Sequence, residues 1–257
     1  MAGGGVTGAA EGAADGSLEG GSVTISHPAT LSPATAARVL TRAIGVCDTM
    51  PANNMLHAVI ERLSNYPRLF LFCRGLFESN FTVIRSTIRD HLGSSPERRV
   101  IDVACGPGAF SDLFNEGSYT GIDLNPNYVR YAREHYRGTF ALQDARALDF
   151  PQGSFDDALV YGLLHHLDDV DVGRVANSLR RLVRPGGRIL VIEDVPTESR
   201  LNLVGHLLHW IENGHYIRPA ERYHALLEPH FRIEEESLFR SGVCDYYLAR
   251  LTTEEEP

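Results

Sequence analysis

The sequence predicts an α/β protein: a doubly wound seven-stranded sheet, mostly parallel, with an antiparallel closing hairpin strand and an N-terminal helical lid. Three observations predict it. From residue 98 onward short β-branched runs alternate with helix-length stretches, a glycine loop follows the first of those runs, and two late strand-like runs flank a tight turn. Strands that alternate with helices make a parallel sheet covered on both faces.

The first strand is 99–104 (RVIDVA), followed by the loop and a helix-like segment at 109–115. The second is 119–124, and the next helix, 125–137, opens on Pro126, whose fixed φ suits a first helical turn. A brief third strand spans 139–142 and a fourth 155–161. The polar stretch 168–184 reads as a helix that stops before Pro185-Gly186-Gly187, and 188–193 (RILVIE) is the fifth strand. Residues 231–239 and 244–251 form the hairpin, turning at Ser241-Gly242 and adding an antiparallel edge strand.

Ahead of this core, residues 1–34 are rich in Gly, Ala, Ser and Thr and cannot bury enough surface to offset their ordering entropy; they are expected to be disordered. Residues 35–97 read as a helical lid. Leu56, Val59, Ile60 and Leu63 recur at helical spacing, as do Leu76, Phe77, Ile84 and Ile88, and Pro67 is placed to open the second helix. Residues 98–257 form the core, with a cap insertion at about 200–230.

The 257 residues suffice for one sizeable α/β domain. No apolar run approaches the ~20 residues that span a bilayer, and no secretory signal is visible, so the expected location is cytoplasmic, without stable membrane insertion. A net charge of −9 argues against nucleic acid as partner, since phosphate binding draws its affinity from basic side chains. Cys47, Cys73, Cys105 and Cys244 show no ligand-like spacing, and no metal site is expected. The oligomeric state is open, a homodimer being one option.

Gly106 and Gly108 let a ligand lie against bare main chain, and the following helix start favours a polar or anionic group there. Asp123, ending the second strand, is placed to accept both hydroxyls of a ribose. Asp144 follows the third strand, where an adenine amino group would be met. A glycine loop alone often serves packing; three such features at successive strand ends point to a nucleotide-like cofactor. Nicotinamide fits poorly, because Ser111 stands where G-x-G-x-x-G prefers Gly or Ala, and Asp102 would go unexplained inside an apolar strand.

These runs resemble the motifs of class I S-adenosylmethionine-dependent methyltransferases, in the right order from about Arg98 to Asp194. VIDVACGPG resembles the first motif, GIDLNP the acidic second, QDA the third, FDDALVYGLLHHLDD the fourth and LRRLVRPGGRILVIE the fifth. The likeness is to the ubiquinone/menaquinone-biosynthesis and small-molecule subgroup. It implies a Rossmann-like fold, S-adenosylmethionine as cofactor, S-adenosylhomocysteine as product, and a small organic acceptor methylated at oxygen, carbon or nitrogen. The alternative is a protein that keeps the fold and binds the donor but catalyses a non-methylating reaction. Nucleic-acid methylation is disfavoured because YGLLHHL stands where base-modifying enzymes carry an Asn-Pro-Pro-Tyr type run.

By the same resemblance Ala104, which replaces a motif glycine, Cys105, Gly106 and Gly108 line the methionine moiety and ribose. Asp123 holds the ribose hydroxyls, Leu124 flanks the adenine, Asp144 and Ala145 contact it, and Tyr161 and Gly162 sit near the sulfonium. Asp102 acts indirectly, through loop shape or water. His165 and His166 are the candidate bases for an acceptor that must lose a proton; otherwise they cap the strand and pack beside the next helix. Arg74 would pair either with the methionine carboxylate or, as a core-edge ion pair, within the protein. His206, His209, Trp210, His215, Tyr216, Tyr223 and His224 make 200–230 either an aromatic cap over the acceptor pocket or an ordinary packed helix.

Overall fold

The computed structural model describes residues 65–93, 97–197, 202 and 216–253. The 1–34 leader, the apolar run at 56–63 and residues 203–215 of the insertion, with His206, His209, Trp210 and His215, lie outside the described residues.

In chain order the elements are α1 (Pro67–Phe77), α2 (Thr82–Leu92), β1 (Val100–Val103), β2 (Tyr119–Asp123), α3 (Pro126–His135), β3 (Thr139–Leu142), β4 (Phe155–Tyr161), α4 (Asp169–Leu182), β5 (Val183–Asp194), α5 (Ala220–Leu227), β6 (Arg232–Ser241) and β7 (Cys244–Thr252). They form one seven-stranded sheet in the order β3-β2-β1-β4-β5-β7-β6. β1 to β5 pair in parallel, whereas β7 runs antiparallel to both β5 and β6. The hairpin thus closes one edge of the sheet, with its antiparallel strand β7 inside and β6 outermost. The seven strands, the flanking helices and the hairpin are as the sequence predicts.

Alternation along each strand divides the core in two. On one face Ile101, Val103, Val160, Val191 and Ala249 pack under α4 and α5. On the other, Leu159, Leu190, Ile192 and Leu248 meet Ile84, Ile88 and Leu92 of α2, while Tyr119 and Phe140 meet Val129 and Ala132 of α3. Burying each large aliphatic side chain contributes about 1.5–3 kcal/mol, so the last helix of the leader is an integral part of one core face. Buried Asp157 on β4 fastens it further. Its carboxylate accepts from Arg98 and Arg188, and Arg188 also donates to the α2 carbonyls of His91 and Leu92. Burial would raise the Asp157 pKa, but the two guanidinium groups outweigh it and hold the carboxyl below its usual value.

Three local expectations change. The second leader run breaks at Ser79, Asn80 and Phe81, all with left-handed φ near +55°. The break costs on the order of 1–2 kcal/mol per residue, and it turns Phe81 edge-on to Phe110 and buries Glu78. The helix expected at 109–115 is a single 3-10 turn, Ser111–Leu113. The chain must already turn at Asn115, whose carbonyl accepts from Ser118 and Tyr119, and α2 covers the sheet face that a longer helix would occupy. Finally, β5 starts before Pro185-Gly186-Gly187, and its register with β4 shifts there, so these residues form an irregularity within the strand.

Candidate functional site

The strand order reverses between β1 and β4, and the carboxyl ends of these strands are the usual place for a ligand in an open α/β sheet. A cavity of about 660 Å³ opens at that point, within the ordinary size of a cofactor site. Ala104, Cys105 and Gly106, Asp123 and Leu124, Asp144 and Ala145, Tyr161 and Gly162, and His165 and His166 all border it.

After β1 the chain turns at Ala104, φ +63°, a conformation that costs a residue with a Cβ on the order of 1–2 kcal/mol. Gly106 follows at φ +55°, and a Cβ placed on it would point into open space, leaving room for a ligand against the main chain. Gly108 does something else. At φ +89° a Cβ there would come within 3.1 Å of Ala132 and Phe140, so its bareness serves the packing of α3 and β3, and it does not border the cavity. With only a 3-10 turn after the loop, the expected α-helix N-terminus is also missing as an anion site.

Asp123 stands opposite Gly106. Its Oδ2 accepts the Gly106 N–H at 2.9 Å and its Oδ1 the Asn125 N–H at 2.7 Å. Burial raises its pKa, partly countered by those backbone N–H groups. A carboxylate offers about four acceptor positions, so it can hold the loop and still receive ligand hydroxyls. Leu124 beside it is 65% exposed, an apolar lip. Asp144 caps the short turn after β3, and its carboxylate is gripped by Arg146 at 2.6–3.1 Å, which lowers its pKa. Arg146 also reaches Asp171 at the start of α4.

Asp102 is fully buried and does not border the cavity. It accepts the Tyr119 hydroxyl at 2.6 Å. Desolvation pushes its pKa up to about 7, with the Tyr119 hydrogen bond opposing and the Asp123 charge adding. Arg74 of α1 pairs with Glu78, donates to the Tyr161 hydroxyl at 3.1 Å and lies 3.9 Å from Asp194. It is thus a core-edge ion pair within the protein, though it also borders the cavity.

His165 is buried and His166 is exposed, their rings 4.1 Å apart. The His165 Nδ1 lies 2.9 Å from Oε2 of Glu193, a fully buried carboxylate near the end of β5. Among the described residues no group of three or more His, Cys, Asp or Glu is arranged to hold a metal, and no helix is long and apolar enough to cross a membrane.

Sequence reasoning missed Glu193, Glu78, Tyr119 and Arg218. Two consecutive acids, Glu193 and Asp194, closing an apolar strand were a legible oddity. Glu78 follows Arg74 by four residues, a helical ion-pair spacing that was legible, whereas Tyr119 and Arg218 have no sequence signal because their partners Asp102 and Asp169 lie far off along the chain.

Residues 100–187 match a protein family described as a methyltransferase domain. A S-adenosylmethionine-dependent methyltransferase of Methanosarcina mazei superposes with a TM-score of 0.53 at 20% identity, over 66% of this chain and 98% of that one. The described core thus shares the Rossmann-like fold of that structure, and within it residues 100–187 are similar to the methyltransferase domain. Several curated proteins to which the sequence is similar are methyltransferases of quinone biosynthesis. A 2-methyl-6-phytyl-1,4-hydroquinone methyltransferase of Synechocystis is 39% identical over 38% of this chain and 32% of its own length. A ubiquinone/menaquinone biosynthesis C-methyltransferase UbiE of Pasteurella multocida is 28% identical over 54% of each. The chain thus spans about a third to a half of these two curated relatives.

Proposed function

We propose that the protein transfers a methyl group from S-adenosylmethionine to a small organic acceptor of the phenol or hydroquinone kind. One observation carries this reading. A single cavity joins bare main chain at Gly106 and the carboxylate of Asp123 to the imidazole of His165. The first pair suits a ribose-bearing donor; the imidazole suits an acceptor that must give up a proton. The quinone-type relatives support the acceptor class.

The bound donor supplies an activated methyl group on a sulfonium. The chain's part is positioning. The turn from Ala104 to Gly106 seats the methionine portion, Asp123 takes the ribose hydroxyls, and Leu124 with Ala145 flanks the adenine. Tyr161 and Gly162, which line the cavity, would border the methyl-bearing end of the donor. In-line displacement gains most from such alignment, and a positioned base adds typically 10²–10⁴-fold where a proton must leave. His165 takes that proton, with His166 as its neighbour at the cavity wall.

Thermal shift tests the donor half: S-adenosylmethionine or S-adenosylhomocysteine stabilises the chain and NAD does not. Stabilisation by NAD alone would overturn the reading. Incubation with methyl-labelled donor and a panel of phenols and hydroquinones tests the acceptor half; label in an extractable small molecule is the expected result, and none across the panel defeats the acceptor class.

A further inference from the structure

The turn after β4, residues 163–167, is hydrogen-bonded from two sides by two buried charged side chains, Glu193 and Arg218. From β5, Glu193 accepts the N–H groups of Leu163 at 2.9 Å, Leu164 at 2.7 Å and His165 at 3.3 Å, and then His165 Nδ1 at 2.9 Å. From the segment before α5, Arg218 donates to the carbonyls of Leu164 at 2.9 Å and Leu167 at 2.7 Å, while its guanidinium pairs with Asp169. The Tyr216 N–H closes on the His165 carbonyl at 3.0 Å. Carboxylate on the donors and guanidinium on the acceptors leave the turn little freedom to move.

We infer that Glu193 is a positioning residue that fixes the tautomer of His165, keeping the proton on Nδ1 so that Nε2 is the nitrogen that receives the acceptor's proton. This rests on the base role proposed for His165. A buried carboxylate accepts hydrogen bonds and has none to donate, so the nitrogen facing it must carry hydrogen. As a neutral ring His165 therefore has its second nitrogen as proton acceptor, and the imidazolium formed on catalysis gains a counter-charge already in place. Ring packing alone would be served by a neutral acceptor. Burying a full negative charge for that purpose is expensive, even with three backbone N–H groups to offset it. Asp194, whose Oδ2 lies 3.8 Å from the same Nδ1, adds a second carboxylate on that side.

Two measurements test the assignment, and the first needs neither donor nor acceptor. In the ¹⁵N-histidine-labelled chain, with the His165 signals identified by their loss in His165→Gln, the neutral ring is expected to be protonated on Nδ1. Protonation on Nε2 would overturn the assignment, whether or not any methyl transfer is found. The second is a double-mutant comparison on whichever panel phenol or hydroquinone turns over. Glu193→Gln is expected to lower kcat at least 10-fold, with the apparent affinity for S-adenosylhomocysteine changed less than 2-fold, and Glu193→Asp to recover part of the loss. In the His165→Ala background Glu193→Gln should cost less than 2-fold, because its effect runs through the imidazole. An equal loss in both backgrounds would make Glu193 a structural brace of the turn and defeat the inference. If no panel member is methylated while Nδ1 carries the proton, the proposed function fails and the tautomer assignment stands.

Discussion

The two ends of the cavity are built from opposite materials. The β1–β2 end uses small residues and main chain: Ala104 and Gly106 carry little or no side chain, and the carboxylate of Asp123 at the wall is tied to backbone N–H groups. The β4–β5 end uses side chains, with His165, Glu193 and Arg218 all nearly fully buried and joined to one another through the turn they hold. A ligand recognised by shape and hydroxyls needs room and a few fixed acceptors. A group that must move a proton needs its charge partner placed beforehand, in a site from which water is excluded. Under the proposed function, donor binding falls to one end and proton handling to the other.

Substitutions that hit only one end sharpen this division. The largest effect is expected from His165→Ala, which should lower turnover about 10²–10⁴-fold while the dissociation constant for S-adenosylhomocysteine, measured calorimetrically, stays within 2-fold. A matching loss of donor affinity would erase the distinction between the ends.

Asp102→Asn comes next and acts on stability. The Asp102 pKa is raised to about 7, so between about pH 4 and 7 the folded chain binds more protons than the unfolded one, and stability falls as pH rises through that window. At about 1.4 kcal/mol per pKa unit the penalty above pH 7 reaches about 4 kcal/mol. An asparagine still accepts from the Tyr119 hydroxyl and has no charge to bury. Denaturant melts at pH 5 and pH 8 should therefore show the Asp102→Asn variant gaining more at pH 8; an equal change at both would refute the buried-charge account.

Asp123→Ala should weaken S-adenosylhomocysteine binding by about 1.5–3 kcal/mol, the worth of a charge-assisted hydrogen bond, and leave the His165 tautomer unaltered. A changed tautomer would show the two ends to be coupled. The smallest effect is expected from Ala104→Gly. Relief of the left-handed strain at φ +63° is opposed by the extra chain entropy of glycine, for a net gain below about 1 kcal/mol, visible as a slightly higher Tm. A lower Tm would mean that the Ala104 methyl packs usefully.

Local pattern made much of the architecture legible. The alternation of β1 through β5 with helices, the opening of α1 at Pro67 and of α3 at Pro126, and the hairpin around Gly242 all rest on signals within a few residues. Expectations failed where a distant partner decided. The segment after the loop does not become an α-helix, since α2 already covers that face. The second leader run breaks because Phe81 and Glu78 have better places off the helix axis. Pairing also settled which hairpin strand lies inside, since β7 bonds with β5 as well as β6.

The same division holds at the site. The sequence by itself determined the strand-end positions of Ala104, Gly106, Asp123, Asp144 and His165, because a strand that ends in a turn places its last residues at the sheet edge. Only the tertiary structure decided what each does there. It turned Gly108 away into packing against α3, put Arg146 on Asp144, buried Asp102 under Tyr119, and set Glu193 against His165. Glu193 follows His165 by a whole helix and strand, and no spacing rule records that contact; parallel pairing of β4 with β5 brings the two together, because neighbouring strands that run the same way end at the same edge.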